Sequence, residues 1–451
     1  MSACALPLFV ASNVRNESPV SQSGEAEEYA ERRTGLDARN TSLCQNWGER
    51  MHRRLLETTA FSAFAIGLVP VAALAQTKTQ PIEISIGGFH GQFVSYVDQD
   101  DRGDRTAGRS GKLTPVDVTS DSEIHFNGRT TLDNGVSLGF RLELEGNTAA
   151  DQIDESYMFA EGGFGRVELG SLNNVHYRMR FVAPEAFSRG FITNDGNLTT
   201  VLFNSTGSPA SDSTLNDTAA RFRDNDSEKI NYYTPRFEGF QLGVSYVPNS
   251  SQDNQNPESA SASYSRGYAV AANFVRTFGG VDMAAYAGYF QWDGPQLSAT
   301  SHAPDPDIYT VGGQIGYGGL RIGGSYGRAN GGRTGAAGTA AASVAGTGAF
   351  RLEGRAWDLG ALYTFGPAAV SLTYFNGTND DSPAAGPSQG SDKLTGLALE
   401  GRYTLGPGVS LEGVLFTAKF HGNGSTGGTT GAVPNEDNKG TGVVTGLLLT
   451  F

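Results

Sequence analysis

Residues 123–171 decide the fold: EIHFNGRTTLDNGVSLGFRLELEGNTAADQIDESYMFAEGGFGRVELGS. From Glu123 to Leu132, apolar or small residues alternate with polar ones, and the alternation resumes after the turn Asp133-Asn134-Gly135. A period of two places successive side chains on opposite faces of a strand. The stretch therefore predicts two antiparallel strands joined by a tight turn.

This alternation repeats to the end of the chain, and its polar face carries several charges per strand. Seven short turns alternate with eight longer polar or glycine-rich loops, which predicts sixteen strands. Short turns on one rim and long loops on the other are typical of outer-membrane barrels, with apolar residues facing lipid and polar ones facing a water-filled lumen. We predict an all-β fold, a 16-stranded antiparallel transmembrane β-barrel with short periplasmic turns and long external loops.

Residues 1–75 lack this pattern. Residues 51–75 contain two arginines, an apolar core and the segment Ala73-Leu74-Ala75, which predicts a signal peptide cleaved after Ala75. A signal peptide needs a free N-terminus, so we expect residues 1–50 to be a disordered extension ahead of the true translation start. The barrel is then predicted over residues 76–451.

Composition narrows the function. The chain has a net charge of −14, which argues against nucleic acid as a partner. Both cysteines, Cys4 and Cys44, precede the predicted cleavage site. No run of eighteen apolar residues follows that site, so a transmembrane helix is not expected. We expect no cofactor and no metal.

Two local patterns refine the barrel. The apolar signal of the first strand moves from Ile82, Ile84 and Ile86 to Phe89 and Phe93, which predicts a bulge at Gly87-Gly88. Aromatic residues cluster at strand ends, which predicts two belts at the membrane interfaces. The short-turn belt comprises Phe237, Phe240, Phe278, Tyr317, Phe365 and Tyr403, and the long-loop belt comprises Tyr246, Phe290, Trp292, Tyr326, Tyr374, Phe375 and Phe420.

The stretches NGRTTLDNGVSLGFRLELEGN, SYMFAEGGFGRVELGSLNN and HYRMRFVAPEAF, with the terminal Phe451, resemble the trimeric general porins of Gram-negative outer membranes, in particular their alphaproteobacterial members. The resemblance implies a homotrimer in contact with outer-membrane lipid and lipopolysaccharide. It also implies that the C-terminal strand, with Leu447, Leu449 and Phe451 on one face, is the signal for the outer-membrane insertion machinery.

In such porins the third external loop, here residues 172–225, folds into the lumen and narrows it. The resemblance implies that acids on this loop oppose arginines on the wall, which sets a transverse field. The implied wall residues are Asn127, Arg129, Arg141 and Glu143, and the loop residues are Arg178, Arg180, Glu185, Arg189 and Asp195. The three loop arginines leave the sign of the field open.

The sequence thus predicts a passive diffusion channel for ions and small hydrophilic solutes. A solute-specific channel for sugars or anions is the main alternative. A barrel-embedded hydrolase would need a nucleophile with a positioned base, and none of the histidines comes with a recognisable partner pattern. No catalytic residue is predicted.

Overall fold

The computed structural model describes residues 81–100, 114–146, 152–193, 217–218, 224, 226–250, 264–294, 296–298, 301–302, 305–330, 354–380, 391–421 and 438–451. Residues 1–80, including the predicted signal peptide, lie outside the described residues. In the part of the chain that is described, no helix is both long and apolar enough to cross a membrane.

The described residues form a nearly all-β structure. The strands are β1 (Glu83–Gln99), β2 (Val116–Thr131), β3 (Ser137–Glu145), β4 (Ile153–Gly162), β5 (Gly165–Ser171), β6 (Glu228–Tyr233), β7 (Phe240–Asn249), β8 (Ser265–Phe278), β9 (Val281–Asp293), β10 (Gln296–Ser298), β11 (Ser301–His302), β12 (Asp307–Tyr317), β13 (Leu320–Asn330), β14 (Gly354–Phe365), β15 (Ala368–Asp380), β16 (Ser391–Gly406), β17 (Val409–His421) and β18 (Asn438–Thr450). A single helical turn, α1 (Val175–Arg178), follows β5.

Sixteen of these described strands close into one antiparallel barrel, and β10 and β11 form a separate two-stranded hairpin. Each barrel strand pairs with its neighbours in sequence, and β1 pairs with β18 to close the sheet. Closure leaves no sheet edge unpaired, as a strand structure in lipid requires. The predicted barrel and its sixteen strands are confirmed.

Side chains alternate between the two faces of the wall. On β1, Ile84, Val94 and Tyr96 are exposed on the outer face, while Phe89 and Phe93 are buried on the inner face. The pairing of β1 with β2 runs without a shift from Glu83 to Tyr96. The predicted bulge at Gly87-Gly88 is therefore wrong, because the apolar signal marks both faces of one regular strand.

The aromatic belt on the short-turn side is as predicted, whereas much of the predicted belt on the long-loop side is not. All six aromatic residues assigned to the short-turn belt are exposed, from Phe237 at 77% to Phe278 at 47%. On the long-loop side, four predicted belt residues instead face inward and are buried, namely Phe290, Trp292, Phe375 and Phe420. Tyrosines are frequent among the outward aromatic residues near that rim. Their rings contact neighbouring rings, as in the pairs Tyr246–Tyr268 and Trp357–Tyr374.

The seam between β1 and β18 depends on a glycine. Gly88 exchanges two backbone hydrogen bonds with Phe451, of 3.0 and 3.1 Å. Its φ is +143°, and a Cβ at this position would collide with the Glu123 carbonyl oxygen of β2. A non-glycine residue in this region of backbone space costs about 1–3 kcal/mol before any collision is counted.

We predict that Gly88→Ala lowers the yield of folded barrel by destabilising this seam. Gly401→Ala on β16 is the matched control, because a Cβ there meets nothing within 4 Å and its φ is not positive. The folded fraction is measured by heat-modifiable gel migration after refolding. Equal yields for the two variants would contradict the role assigned to Gly88.

Candidate functional site

The segment after β5 does not leave the barrel. Residues 172–193, here called the inner loop, make hydrogen bonds with wall strands around much of the inner circumference. Near the start of the loop, the Val175 N–H donates to Ser245 Oγ on β7 at 2.9 Å, and Gln314 on β12 donates to the Val182 carbonyl oxygen at 2.7 Å. Because these partners lie on successive parts of a closed wall, the inner loop lies within the lumen.

Its second half is held by carboxylates of the C-terminal strands. The Ala183 N–H donates to Asp358 on β14 at 2.7 Å. The N–H groups of Ala186 and Phe187 donate to Glu400 on β16 at 2.9 and 3.0 Å. Irregular backbone needs such partners when it is buried.

The acids that bind the backbone of the inner loop were not predicted from the sequence. Ser188, at the loop's next position, donates its N–H to Glu412 on β17 at 3.1 Å. A signal was present in the sequence, because each of Asp358, Glu400 and Glu412 shares its strand face with an apolar residue two positions away, respectively Ala356, Ala398 and Val414.

Two apolar clusters inside the barrel complete the docking of the loop. In one, Phe187 and Phe191 pack on Phe93 and Phe416, with ring centroids 5.2 Å apart for Phe93–Phe187 and 5.1 Å for Phe191–Phe416. In the other, Val175 and Met179 join a buried group that includes Phe290 and Trp292. This explains why aromatic residues predicted to face lipid point inward.

The wall formed by β2 to β5 is different, because its inner face is charged. Register and alternation place these charges on the lumen side. They are Asp121, Glu123, His125 and Arg129 on β2, Arg141 and Glu143 on β3, Glu155 and Glu161 on β4, and Arg166 and Glu168 on β5. The lumen therefore has a covered, largely apolar side and a charged side.

The inner loop presents arginines to acids of this charged wall. Arg178 donates to Glu168 at 3.0 Å. Arg189 contacts Asp121 at 3.2 Å and Glu123 at 3.1 Å. At both contacts the cation belongs to the loop and the anion to the wall. These ion pairs connect the inner loop to the charged side of the lumen.

The predicted wall residues share one face. Arg129 is 55% exposed and its Nη2 lies 3.7 Å from Glu161. Arg141 pairs with Glu143 and lies 3.0 Å from His125 Nδ1. Asn127 is directly opposite Arg141 in the register of β2 and β3. Their role at a constriction stays a prediction.

The remaining predicted loop residues occupy different environments. Arg180 is buried, with its guanidinium 3.3 Å from Asp217 and 3.5 Å from the Tyr177 ring centroid. The Glu185 carboxylate accepts hydrogen bonds from the backbone of Phe191 at 3.2 Å and Ile192 at 2.9 Å. Asp195 lies outside the described residues.

Among the described residues, two groups on the charged wall have ligand atoms within 4.8 Å of one another, which is close enough for a metal ion. One group is Glu123, His125 and Glu143, and the other is Glu123, Glu145 and Asp154. However, Arg141 contacts both His125 and Glu143 in the first group, and Arg189 contacts the shared Glu123 at 3.1 Å. The positive charges of these arginines oppose a bound cation. The arrangement favours an ion-pair network on the lumen wall.

Comparisons with known proteins agree with this architecture. A family model described as Gram-negative porin matches residues 60–423. Over 97 residues the chain is 32% identical to the major outer membrane protein of Pasteurella multocida, a match that covers 22% of this chain and 26% of that protein. The chain thus spans about a quarter of the length of this curated relative.

Among solved structures, the trimer form of OmpT of Vibrio cholerae has a TM-score of 0.51 at 12% identity, covering 82% of this chain and 100% of that chain. The anion-selective porin from Comamonas acidovorans has a TM-score of 0.49 at 18% identity, with coverages of 82% and 100%. The chain belongs to the Gram-negative porin family. It is a protein of the bacterial outer membrane.

Glu185 makes the inner loop sensitive to pH. Burial inside the lumen, and next the neighbouring Glu400 carboxylate, raise the pKa of Glu185 from 4.5 to about 8. When the loop detaches, this pKa returns toward its ordinary value. The contribution of protonated Glu185 to loop docking is therefore complete below pH 4.5 and is lost as pH rises through 8.

We predict that opening of residues 183–193 increases by up to about tenfold per pH unit between pH 4.5 and 8. Hydrogen–deuterium exchange of peptides from this segment measures it, after correction for intrinsic exchange rates. Glu185→Gln should weaken the pH dependence, whereas Glu238→Gln, which alters an exposed acid at a short turn, should leave it unchanged. If hydrogen–deuterium exchange depends on pH to the same extent in the wild type and in Glu185→Gln, Glu185 is not the group responsible.

Proposed function

We propose that this chain forms a water-filled outer-membrane channel for passive diffusion of ions and small hydrophilic solutes. The observation that carries the proposal is the division of the lumen. The inner loop covers the apolar side, and the opposite wall, from β2 to β5, presents charged side chains. A water-filled passage fits between them because charged groups need hydration or a partner.

The charges give this passage a transverse field. Loop arginines Arg178 and Arg189 face wall acids, and wall arginines Arg129 and Arg141 stand among acids of neighbouring strands. Such a field orders water and admits polar solutes more readily than apolar ones. The wall residues Asn127, Arg129, Arg141 and Glu143, with the loop residues Arg178, Arg180 and Arg189, are proposed to set its strength. Glu185 adds a negative charge to the field above its pKa of about 8.

Processing and assembly complete the proposal. Residues 51–75 act as a signal peptide, and residues 76–451 form the mature barrel, with residues 172–225 as the constriction loop. Three copies assemble, a state that the solved OmpT trimer form supports through a shared fold. We propose no catalytic step.

Planar-bilayer recording tests the channel. The full chain is expressed in a Gram-negative host, purified from outer membranes and added to a bilayer under a KCl gradient. We expect stepwise conductance in groups of three. Folded, inserted protein without conductance would reject the channel, and conductance in single steps only would reject the trimer.

Neutralising the wall arginines should change ion selectivity. We predict that the double variant Arg129→Gln, Arg141→Gln shifts the reversal potential toward cation permeability, because two positive charges leave the lumen while its acids remain. Arg276→Gln is the matched control, since Arg276 pairs with Glu238 at the short-turn rim. An unchanged reversal potential in the double variant would remove these residues from the selectivity mechanism.

The C-terminal face should matter for insertion rather than conduction. Leu447, Leu449 and Phe451 are exposed at 45%, 42% and 64% on the outer surface. We predict that deleting Phe451 lowers the amount of barrel in the outer membrane, while channels that do form keep their unit conductance. Normal amounts of inserted protein would contradict the role proposed for this residue.

A further inference from the structure

A cavity of about 490 Å³ lies on the short-turn side of the inner loop. It is lined by the β4–β5 turn, by the connection from β6 to β7, and by Arg178 and Met179 of the loop. Its volume falls in the range of about 300–1,000 Å³ that small-molecule sites occupy. A solute that has passed the inner loop would meet this cavity next.

The charges around the cavity favour an anion. Its lining includes three guanidinium groups, from Arg166, Arg178 and Arg236, and two carboxylates, from Glu161 and Glu168. Arg166 donates through Nε to Glu168 at 2.7 Å and through Nη1 to Glu161 at 3.1 Å. Since a guanidinium has five N–H donors, these bonds engage only part of it. The fork geometry of a guanidinium matches a carboxylate.

One further group indicates that the occupant is also hydroxylated. The Glu161 carboxylate lines the cavity, and its side chain is 43% exposed. An ionised carboxylate accepts hydrogen bonds and donates none, so an occupant with hydroxyl donors fits beside it.

We propose that this cavity is a binding subsite for small organic carboxylates that carry hydroxyl groups. The arginines hold the carboxylate, while Glu161 accepts hydrogen bonds from the hydroxyl groups. The inference rests on the proposed channel function and adds a solute class to it. Binding on the short-turn side holds such solutes at the exit of the passage.

The probe is potassium gluconate, a small hydroxylated carboxylate, and sorbitol is its neutral analogue. The full chain, purified from outer membranes, is recorded in planar bilayers at fixed K⁺ while either compound is added to one side. We expect gluconate to reduce the chloride-carried conductance in a saturable way, more strongly from one side than from the other. Sorbitol at equal concentration should give no saturable effect.

Variants then locate the effect. Arg166→Gln and Arg236→Gln should each raise the half-blocking gluconate concentration by about tenfold, the effect of losing one charge-assisted hydrogen bond. Arg236 lies at the exposed rim and donates to the Gly239 carbonyl oxygen at 2.7 Å, so its variant remains informative if Arg166→Gln fails to assemble. Arg276→Gln, outside the cavity, should match the wild type.

The outcomes separate the two proposals. Normal KCl conductance without saturable gluconate block, or equal block by sorbitol, overturns the subsite and leaves the channel standing. Unchanged half-blocking concentrations in both arginine variants also overturn it. Absence of KCl conductance from inserted protein overturns the channel itself.

Discussion

The structure depends on hydrogen-bond partners for the backbone of an irregular segment inside the barrel. The inner loop contains one helical turn, so most of its N–H groups have no partner within regular secondary structure. The wall supplies those partners, through Ser245 on β7, Asp358 on β14 and Glu400 on β16. Each such donor would cost about 1–3 kcal/mol if buried alone. The acids of the C-terminal strands thus fix the position of the loop and the shape of the lumen.

Close approach between loop and wall requires small residues on the inner face. A Cβ at Gly312 on β12 would collide with the Phe181 carbonyl oxygen, and a Cβ at Gly327 on β13 would collide with that of Thr218. Glycine at these positions lets a second layer of backbone lie against the sheet. Gly312 thus serves the docking of the inner loop, and Gly327 serves that of the segment 217–218.

Period-two alternation was sufficient to predict the strands and the outward face of the C-terminal strand, and the order of short turns and long loops predicted the count of sixteen. It also placed Arg129 and Arg141 on the lumen side. It failed where polarity was used to tell inside from outside, at Phe89, Phe93 and the inward aromatic residues. A lumen is polar only where water fills it, and the inner loop replaces water with Phe187 and Phe191 along the covered wall. The sequence pattern of one strand does not reveal a segment that packs on it from elsewhere in the chain.

The same limit explains what could be predicted of the candidate site. Strand register brings Glu123, His125, Arg141 and Glu143 together, so a sequence that predicts the strands also predicts this group. The partner of Arg189 follows instead from the path of the loop, which has no periodicity. That path places cations of the loop against anions of the wall, while the Glu185 carboxylate accepts a hydrogen bond from the backbone of Ile192 in the same loop. Charge in this lumen is therefore organised by the tertiary course of one loop, and the strands supply the fixed pattern against which it acts.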